Sequence, residues 1–355
     1  MLIPAAISLI LSTIFLNLSL LVPGAISLPG QPRPVKVGRI MGVSEAAGAA
    51  GVLVEQNDNL NQAVVKVLEQ AKTIVLPQLK QLTRLNEPMR RLPPNQEAPA
   101  AMPAPDFDLP AANGVILDSQ NDSLFFAKRP DRTWPIASIT KLFTAYTFLD
   151  YNPGWDTGYE IAASDRREGG RIYLFTGDSV TVKDLFYFSL VGSDNTAAAA
   201  LVSSTGLSEE EFVKKMNDKI KQLGFKNTRL ADPVGLADGN ISTAREVAEF
   251  ARIALANPDI SRALLTKQYE FTTRQGRKKA VTSTNELLNS FPQGDINILG
   301  GKTGYVNSSG FCLVSQFQNQ AGQSIVTVIL GADSDSSRFS LTKKLVDLYY
   351  KSNNN

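Results

Sequence analysis

Three short stretches of this chain carry residues whose types and spacing could do chemistry. In PIASITKLFTAY (residues 135–146), Ser138 and Lys141 stand three positions apart. Residues i and i+3 share a helical face, so hydroxyl and amine can meet. A helix start also favours negative charge developing near Ser138. In LFYFSLVGSDNTAAAAL, Ser193, Asp194 and Asn195 follow an amphipathic segment running from near Thr181 to near Gly192. In NILGGKTGYVNSSG, Lys302, Thr303 and Gly304 open a strand-like run. Each has a plain structural reading as well: a solvated surface pair, a cap for the next helix, and a basic turn whose glycine lets another backbone approach.

Composition selects among chemistries. The chain has no histidine, which excludes a Ser-His-Asp triad, a Cys-His dyad and His-ligated zinc. The single cysteine, Cys312, excludes a Cys-rich metal site and an intrachain disulfide. A serine nucleophile here needs another base. Lysine is the leading candidate, because burial or cationic neighbours bring its pKa towards neutrality. No metal or cofactor is implied. Cys312 lies in the strand-like GFCLVSQF and reads as a buried structural thiol.

The elements that must position these residues follow from periodicity. Ile139, Leu142, Phe143, Tyr146 and Leu149 recur as on a helix with one buried face, and Pro135 suits its start. GVILDS and SLFFAKR, separated by QND, predict a hairpin that opens a sheet. A largely helical stretch is expected from about 138 to 265. GFCLVSQFQ and QSIVTVILGA, joined around NQAG, predict two more strands, and SRFSLTKKLVDLYY a closing helix. Strands at both ends and helices between them predict an α+β fold: an antiparallel β-sheet flanked by helices plus a mostly helical lobe. A cleft between the two is the natural place for a site.

The three motifs occur in one order, with Ser193 55 positions and Lys302 164 positions after Ser138. Serine-x-x-lysine, Ser-Asp-Asn and Lys-Thr-Gly in this order form the signature of class A β-lactamases and penicillin-binding proteins. The chain from about 110 to 350 resembles the D-alanyl-D-alanine carboxypeptidases, the low-molecular-mass penicillin-binding proteins of serine peptidase family S11. LGFKNTRLADPVGLADGNISTAREVAEFARIAL, STNELL, GGKTGYVNSSGFCLVS and SRFSLTKKL carry the resemblance beyond the motifs. Asp194 and Glu246 depart mildly from the family, which often has glycine and aspartate there.

The resemblance implies a β-lactamase/penicillin-binding-protein-like transpeptidase fold and a set of roles. Ser138 attacks the carbonyl of the penultimate D-alanine and Lys141 takes its proton. Ser193 and Lys302 relay a proton to the leaving D-alanine, and Asn195 orients the peptide. The backbone N–H groups of Ser138 and Tyr305 form the oxyanion hole. Thr303, Gly304 and Arg338 belong to the substrate-binding set, Arg338 gripping the terminal carboxylate. Stem peptides of peptidoglycan are the implied substrates, and β-lactams the implied covalent inhibitors. The rival readings are a D,D-endopeptidase of the same family, a class A-like β-lactamase, and a wall-binding or β-lactam-sensing protein. The β-lactamase needs a glutamate roughly midway between the second and third motifs, and NTRLADPVGLADGN has none. Glu286 and Asn289 form an E-x-x-N, but too close to Lys302 to be that loop.

The remaining chain concerns place rather than chemistry. Residues 1–32 carry no charged side chain, and LIPAAISLILSTIFLNLSLLV is long enough to span a bilayer. Residues 1–30 therefore read as a signal peptide or membrane anchor, although no Lys or Arg precedes the run and Arg33, Lys36 and Arg39 follow it. Residues 31–92 read as a helical stalk, 93–106 as a Pro-rich linker, and 107–355 as the catalytic domain. An extracytoplasmic protein, exported across or anchored to the membrane, is expected. The charge balance of 36 basic and 34 acidic residues gives no reason to invoke nucleic acid.

Overall fold

The computed structural model of the protein describes residues 109–353, Arg171 excepted. The anchor, the stalk and the linker expected at 1–106 lie outside the described residues. In chain order the elements begin with β1 (Ala111–Asp118), β2 (Ser123–Lys128), β3 (Trp134–Pro135), α1 (Thr140–Phe148), β4 (Gly158–Glu160) and β5 (Ser179–Thr181). Then come α2 (Val182–Val191), α3 (Asn195–Ser203), α4 (Glu209–Gln222), β6 (Ile241–Ser242), α5 (Ala244–Leu255) and α6 (Pro258–Leu265). The chain closes with β7 (Gln268–Thr272), β8 (Lys278–Thr282), β9 (Asn297–Val306), β10 (Gly310–Gln318), β11 (Ser324–Ala332) and α7 (Asp335–Asn353).

The first hairpin and the last three strands build one antiparallel sheet, in the order β2-β1-β11-β10-β9. Alternate side chains leave a strand on opposite faces, and the sequence uses both. Val115, Leu117, Cys312, Val314, Val326 and Val328 face a core shared with the helical lobe. Ile116, Leu313, Phe317, Ile325 and Ile329 face a second core, which α7 covers with Leu341, Leu345, Val346 and Tyr349. The sheet is thus a slab between two apolar layers, and β9 is left as an edge strand beside the helical lobe.

The lobe is ordered locally by its caps. Thr181 and Asp184 form a capping box at α2, and Ser208 and Glu211 form one at α4. Thr243 caps α5, and Asn257 caps α6 ahead of Pro258. Inside, the rings of Phe143 on α1 and Phe250 on α5 stack with centroids 3.7 Å apart.

The middle of the domain is less purely helical than periodicity predicts. Two small sheets, β3–β6 and β4–β5, interrupt it, and β7–β8 forms a hairpin of its own. Pro135 does not open a helix: it lies in β3 and pairs with Ile241. The chain turns through Ala137, with φ of +48°, into a short 3-10 turn at Ala137–Ile139. Ser138 therefore sits on that turn, and α1 starts two residues later.

Candidate active site

Three segments converge where edge strand β9 meets the lobe. The first is the turn carrying Ser138, half-buried, followed by Lys141 in the first turn of α1. The second is the α2–α3 connection. Gly192 ends α2, and Ser193 adopts φ of +55°, a left-handed conformation that costs a residue with a side chain about 1–3 kcal/mol. Asp194 then caps α3 by accepting from the amide of Ala197. The capping reading of this motif is thus correct for Asp194, and the cap is what aims Ser193 and Asn195 at the site. The third segment is the Lys302–Gly304 stretch of β9.

Contact between the first and third segments requires glycine at 304. A methyl group there would come within 2.8 Å of the Ile136 carbonyl and 3.2 Å of the Ser138 amide nitrogen. The strand and the Ser138 turn are therefore in backbone contact, with the amide of Tyr305 one residue beyond. Gly235 does the same from below: a Cβ on it would lie 2.2 Å from the Ala137 carbonyl.

Two lysines dominate the electrostatics. Lys141 is fully buried, with Nζ 3.0 Å from Ser138 Oγ. It also donates to Asn195 Oδ1 at 2.8 Å and to the Val234 carbonyl at 2.7 Å. Desolvation lowers its pKa to about 7, against the smaller opposing pull of Asp194 and Asp232. Lys302 is buried too, and its Nζ lies 2.8 Å from Ser193 Oγ and 3.0 Å from the Thr303 carbonyl. Burial, then the charges of Lys141 and Arg338, hold its pKa well below the usual lysine value. The result is two serine–lysine pairs facing one cleft, each with an amine whose charged form burial disfavours.

The other residues predicted from sequence fall around this centre. The Asn195 amide is engaged at both ends, since its Nδ2 donates to the Gly169 carbonyl at 2.9 Å. It holds Lys141 and tethers the loop before β5. The Thr303 hydroxyl lies 2.6 Å from that of Thr284. Tyr305 is about half exposed and packs on Phe311 with centroids 4.3 Å apart. Arg338 is not a free surface arginine. It is 7% exposed, and its Nη1 donates to the carbonyls of Gly304 at 3.1 Å and Cys312 at 3.4 Å. Its Nη2 pairs with Asp335. Cys312 is buried as expected, and burial pushes its thiol pKa up to about 11.

One residue of the site escapes motif reading. Asp232 accepts from the amides of Val234, Gly235 and Ala237 at 2.6 Å each, and from Asn240 Nδ2 at 2.8 Å. It folds residues 232–240 into a rigid platform. That platform presents the Val234 carbonyl to Lys141, while the Pro233 carbonyl accepts from Thr144 on α1. The available signal was the Asp-Pro-x-Gly run itself, a turn in which a carboxylate bonds its own following backbone.

A serine–lysine pair between an antiparallel sheet and a helical lobe is the arrangement of a serine hydrolase with the penicillin-binding-protein fold. The ampicillin-bound penicillin-binding protein D2 of Listeria monocytogenes has this fold, with 25% identity, a TM-score of 0.60, and coverage of 69% of this chain and 99% of that one. The profile of the D-alanyl-D-alanine carboxypeptidase family, serine peptidases S11, matches residues 98–334, and the chain belongs to that family. The D-alanyl-D-alanine endopeptidase of Haemophilus influenzae is 32% identical over 250 residues, which are 69% of this chain and 83% of that protein. The D-alanyl-D-alanine carboxypeptidase DacF of Bacillus subtilis is 29% identical over 252 residues, 68% of this chain and 62% of that protein. The protein is accordingly a serine-type peptidase.

Proposed function

We propose that the protein removes the terminal D-alanine from peptidoglycan stem peptides through an acyl-enzyme on Ser138. The observation that carries this reading is the Lys141 amine, sealed from water, 3.0 Å from Ser138 Oγ and with a pKa near 7. Neutral Lys141 takes the Ser138 proton as Oγ bonds the carbonyl carbon of the penultimate D-alanine. The oxyanion that forms is held by the backbone N–H groups of Ser138 and Tyr305. The C–N bond then breaks, and the leaving amine receives a proton through Ser193 and Lys302. Water attacks the ester, Oγ leaves, and Ser138 regains its proton.

Asn195 orients the peptide with the amide that also positions Lys141. Thr303 and Arg338 receive the terminal carboxylate, which competes with Asp335 for the guanidinium arm. β-Lactams acylate the same serine, because they present a strained amide and a carboxylate to the same groups. The protein acts outside the cytoplasm, and the uncharged residues 1–30 attach or export it. Among the described residues no helix is long and apolar enough to cross a membrane.

The test is D-alanine release from a peptide ending in D-Ala-D-Ala by wild-type protein and Ser138→Ala. Release by the wild type and none by the variant is expected. Release by Ser138→Ala near the wild-type rate would refute the assignment.

A further inference from the structure

Where β8 ends, the chain runs through STNELL (283–288) on its way to β9. Serine, threonine and asparagine side chains bond readily to nearby backbone and so stop a strand. Here the Ser283 hydroxyl accepts from the amide of Asn285, and Asn285 Oδ1 accepts from the amide of Leu287 to cap the 3-10 turn at Glu286–Asn289. The Ser283 amide donates to the Lys267 carbonyl. Thr284 is thus held from both sides by its neighbours, and its own groups are turned outward from the segment.

Those groups reach two parts of the active site. The Thr284 amide donates to the carbonyl of Val191 at 3.1 Å. Val191 is the last residue of α2, where a helix leaves carbonyls without partners, and it stands two positions before Ser193. The Thr284 hydroxyl lies 2.6 Å from that of Thr303, the neighbour of Lys302 on β9. The fit is close: a Cβ on Gly192 would lie 2.8 Å from a side-chain carbon of Val281 on β8. Among the described residues, the α2–α3 connection and β9 share one direct hydrogen bond, that of Lys302 to Ser193. Thr284 joins them a second time, by its backbone on one side and its side chain on the other.

The hydroxyl pair has a direction. A single proton lies between the two oxygens, and in the free protein either residue can supply it. A carboxylate only accepts hydrogen bonds. Once Thr303 donates to the terminal carboxylate of a substrate, its proton is no longer available to Thr284. The proton between the two oxygens is then that of Thr284. Thr303 accepts one bond and donates the next, and in such a chain each bond polarises its neighbour. A residue without a hydroxyl at 284 leaves the Thr303 oxygen without its donor.

We propose that Thr284 is a positioning residue for recognition of the terminal carboxylate: it donates to Thr303 Oγ1 and thereby aims the Thr303 proton at the substrate. It acts through Thr303 and touches neither the carboxylate nor the scissile bond. The inference rests on the assignment of Thr303 to the carboxylate and adds the group that orients it.

The experiment uses the full chain and two acyl-D-alanyl thioesters that differ only in the leaving group. One releases D-thiolactate, which carries the carboxylate of D-alanine, and the other releases ethanethiol, which lacks it. In both, Ser138 Oγ bonds the carbonyl carbon, the C–S bond breaks and the thiol departs. A thiol leaves more readily than an amine, which keeps the Ser193–Lys302 relay out of the comparison. Wild type is expected to prefer the thiolactate ester. Thr284→Val should lower kcat/KM for that ester by about fivefold or more and leave the ethanethiol ester within about twofold, which reports an intact fold and nucleophile. Thr284→Ser, which keeps the hydroxyl, should match wild type on both. Three results would overturn the proposal: no change on either ester, an equal loss on both, or a Thr284→Ser variant as impaired as Thr284→Val. A wild type that hydrolyses the two esters equally well would overturn the carboxylate reading of Thr303 on which it rests.

Discussion

The buried amine of Lys141 makes the pH dependence of acylation a direct test of its role. An ordinary lysine with a pKa of 10.5 would be neutral in roughly one molecule in three thousand at pH 7. At a pKa of about 7 roughly half the molecules hold a neutral base. kcat/KM reports the free enzyme, so its acid limb should fall through pH 7, tenfold per unit, to about one hundredth at pH 5. The assay is the second-order rate of acylation by a fluorescent penicillin between pH 5 and 9, with D-alanine release in parallel. A profile flat down to pH 5, or a limb near pH 10, would refute the assignment of Lys141 as the base. Stability supplies a second readout. Between about pH 7 and 10.5 the unfolded chain binds a proton at Lys141 that the native protein does not, so unfolding free energy rises with pH there. Below about pH 7 both states are protonated and the cost is constant. Wild type should therefore gain about 2 kcal/mol relative to Lys141→Met between pH 7 and 9, measured by urea denaturation.

Other perturbations address single contacts. Asp232→Asn removes half of the acceptor set that shapes the Val234 platform, and it removes a charge that favours protonated Lys141. kcat/KM should fall about tenfold or more and the acid limb should move to lower pH, whereas a wild-type profile would sink the platform argument. Arg338→Ala should raise KM for D-Ala-D-Ala peptides by about tenfold or more, given that charge-assisted bonds contribute roughly 1.5–3 kcal/mol; unchanged kinetics would remove it from the carboxylate site. Benzylpenicillin should leave one drug mass on the Ser138 peptide in intact-protein mass spectrometry. Rapid turnover without a trapped adduct would favour a β-lactamase. The loop that could carry a deacylating base offers two carboxylates and both are engaged, Asp232 with its own backbone and Asp238 with Ser308.

What could be read from the sequence was what repeats or punctuates. The apolar runs of β1, β10 and β11, bounded by turn residues, marked the sheet, and Thr181 and Gly192 bounded α2 at both ends. Each of these is a local signal: a short apolar run, a cap, a glycine. Local rules failed where a tertiary partner overrode them. Pro135 reads as a helix start, but Ile241 lies more than a hundred residues away and recruits it into a strand pair. The β7–β8 hairpin was missed because QYEFT and KKAVT are short, polar-rich strands, only lightly buried.

The site divides the same way. Ser138, Lys141, Ser193, Asn195 and Lys302 were legible as residue types because a histidine-free chain leaves few ways to activate a serine. Their electrostatic state was not legible, because it depends on how the three segments pack. Burial lowers both lysine pKa values, and the charge of Lys141 further disfavours a charge on Lys302. A second proton on the pair is therefore costlier than the first. When Lys141 takes the proton of Ser138, its new charge should ease proton release at Lys302, where the leaving amine needs one. The coupling is directional in time, so Lys302→Arg tests it. A fixed guanidinium near Ser193 keeps the positive charge but cannot give up its proton. Acylation by a β-lactam, whose amine stays tethered, should then suffer less than D-alanine release, whose amine must depart protonated. Equal losses in the two reactions would mean that Lys302 contributes charge alone.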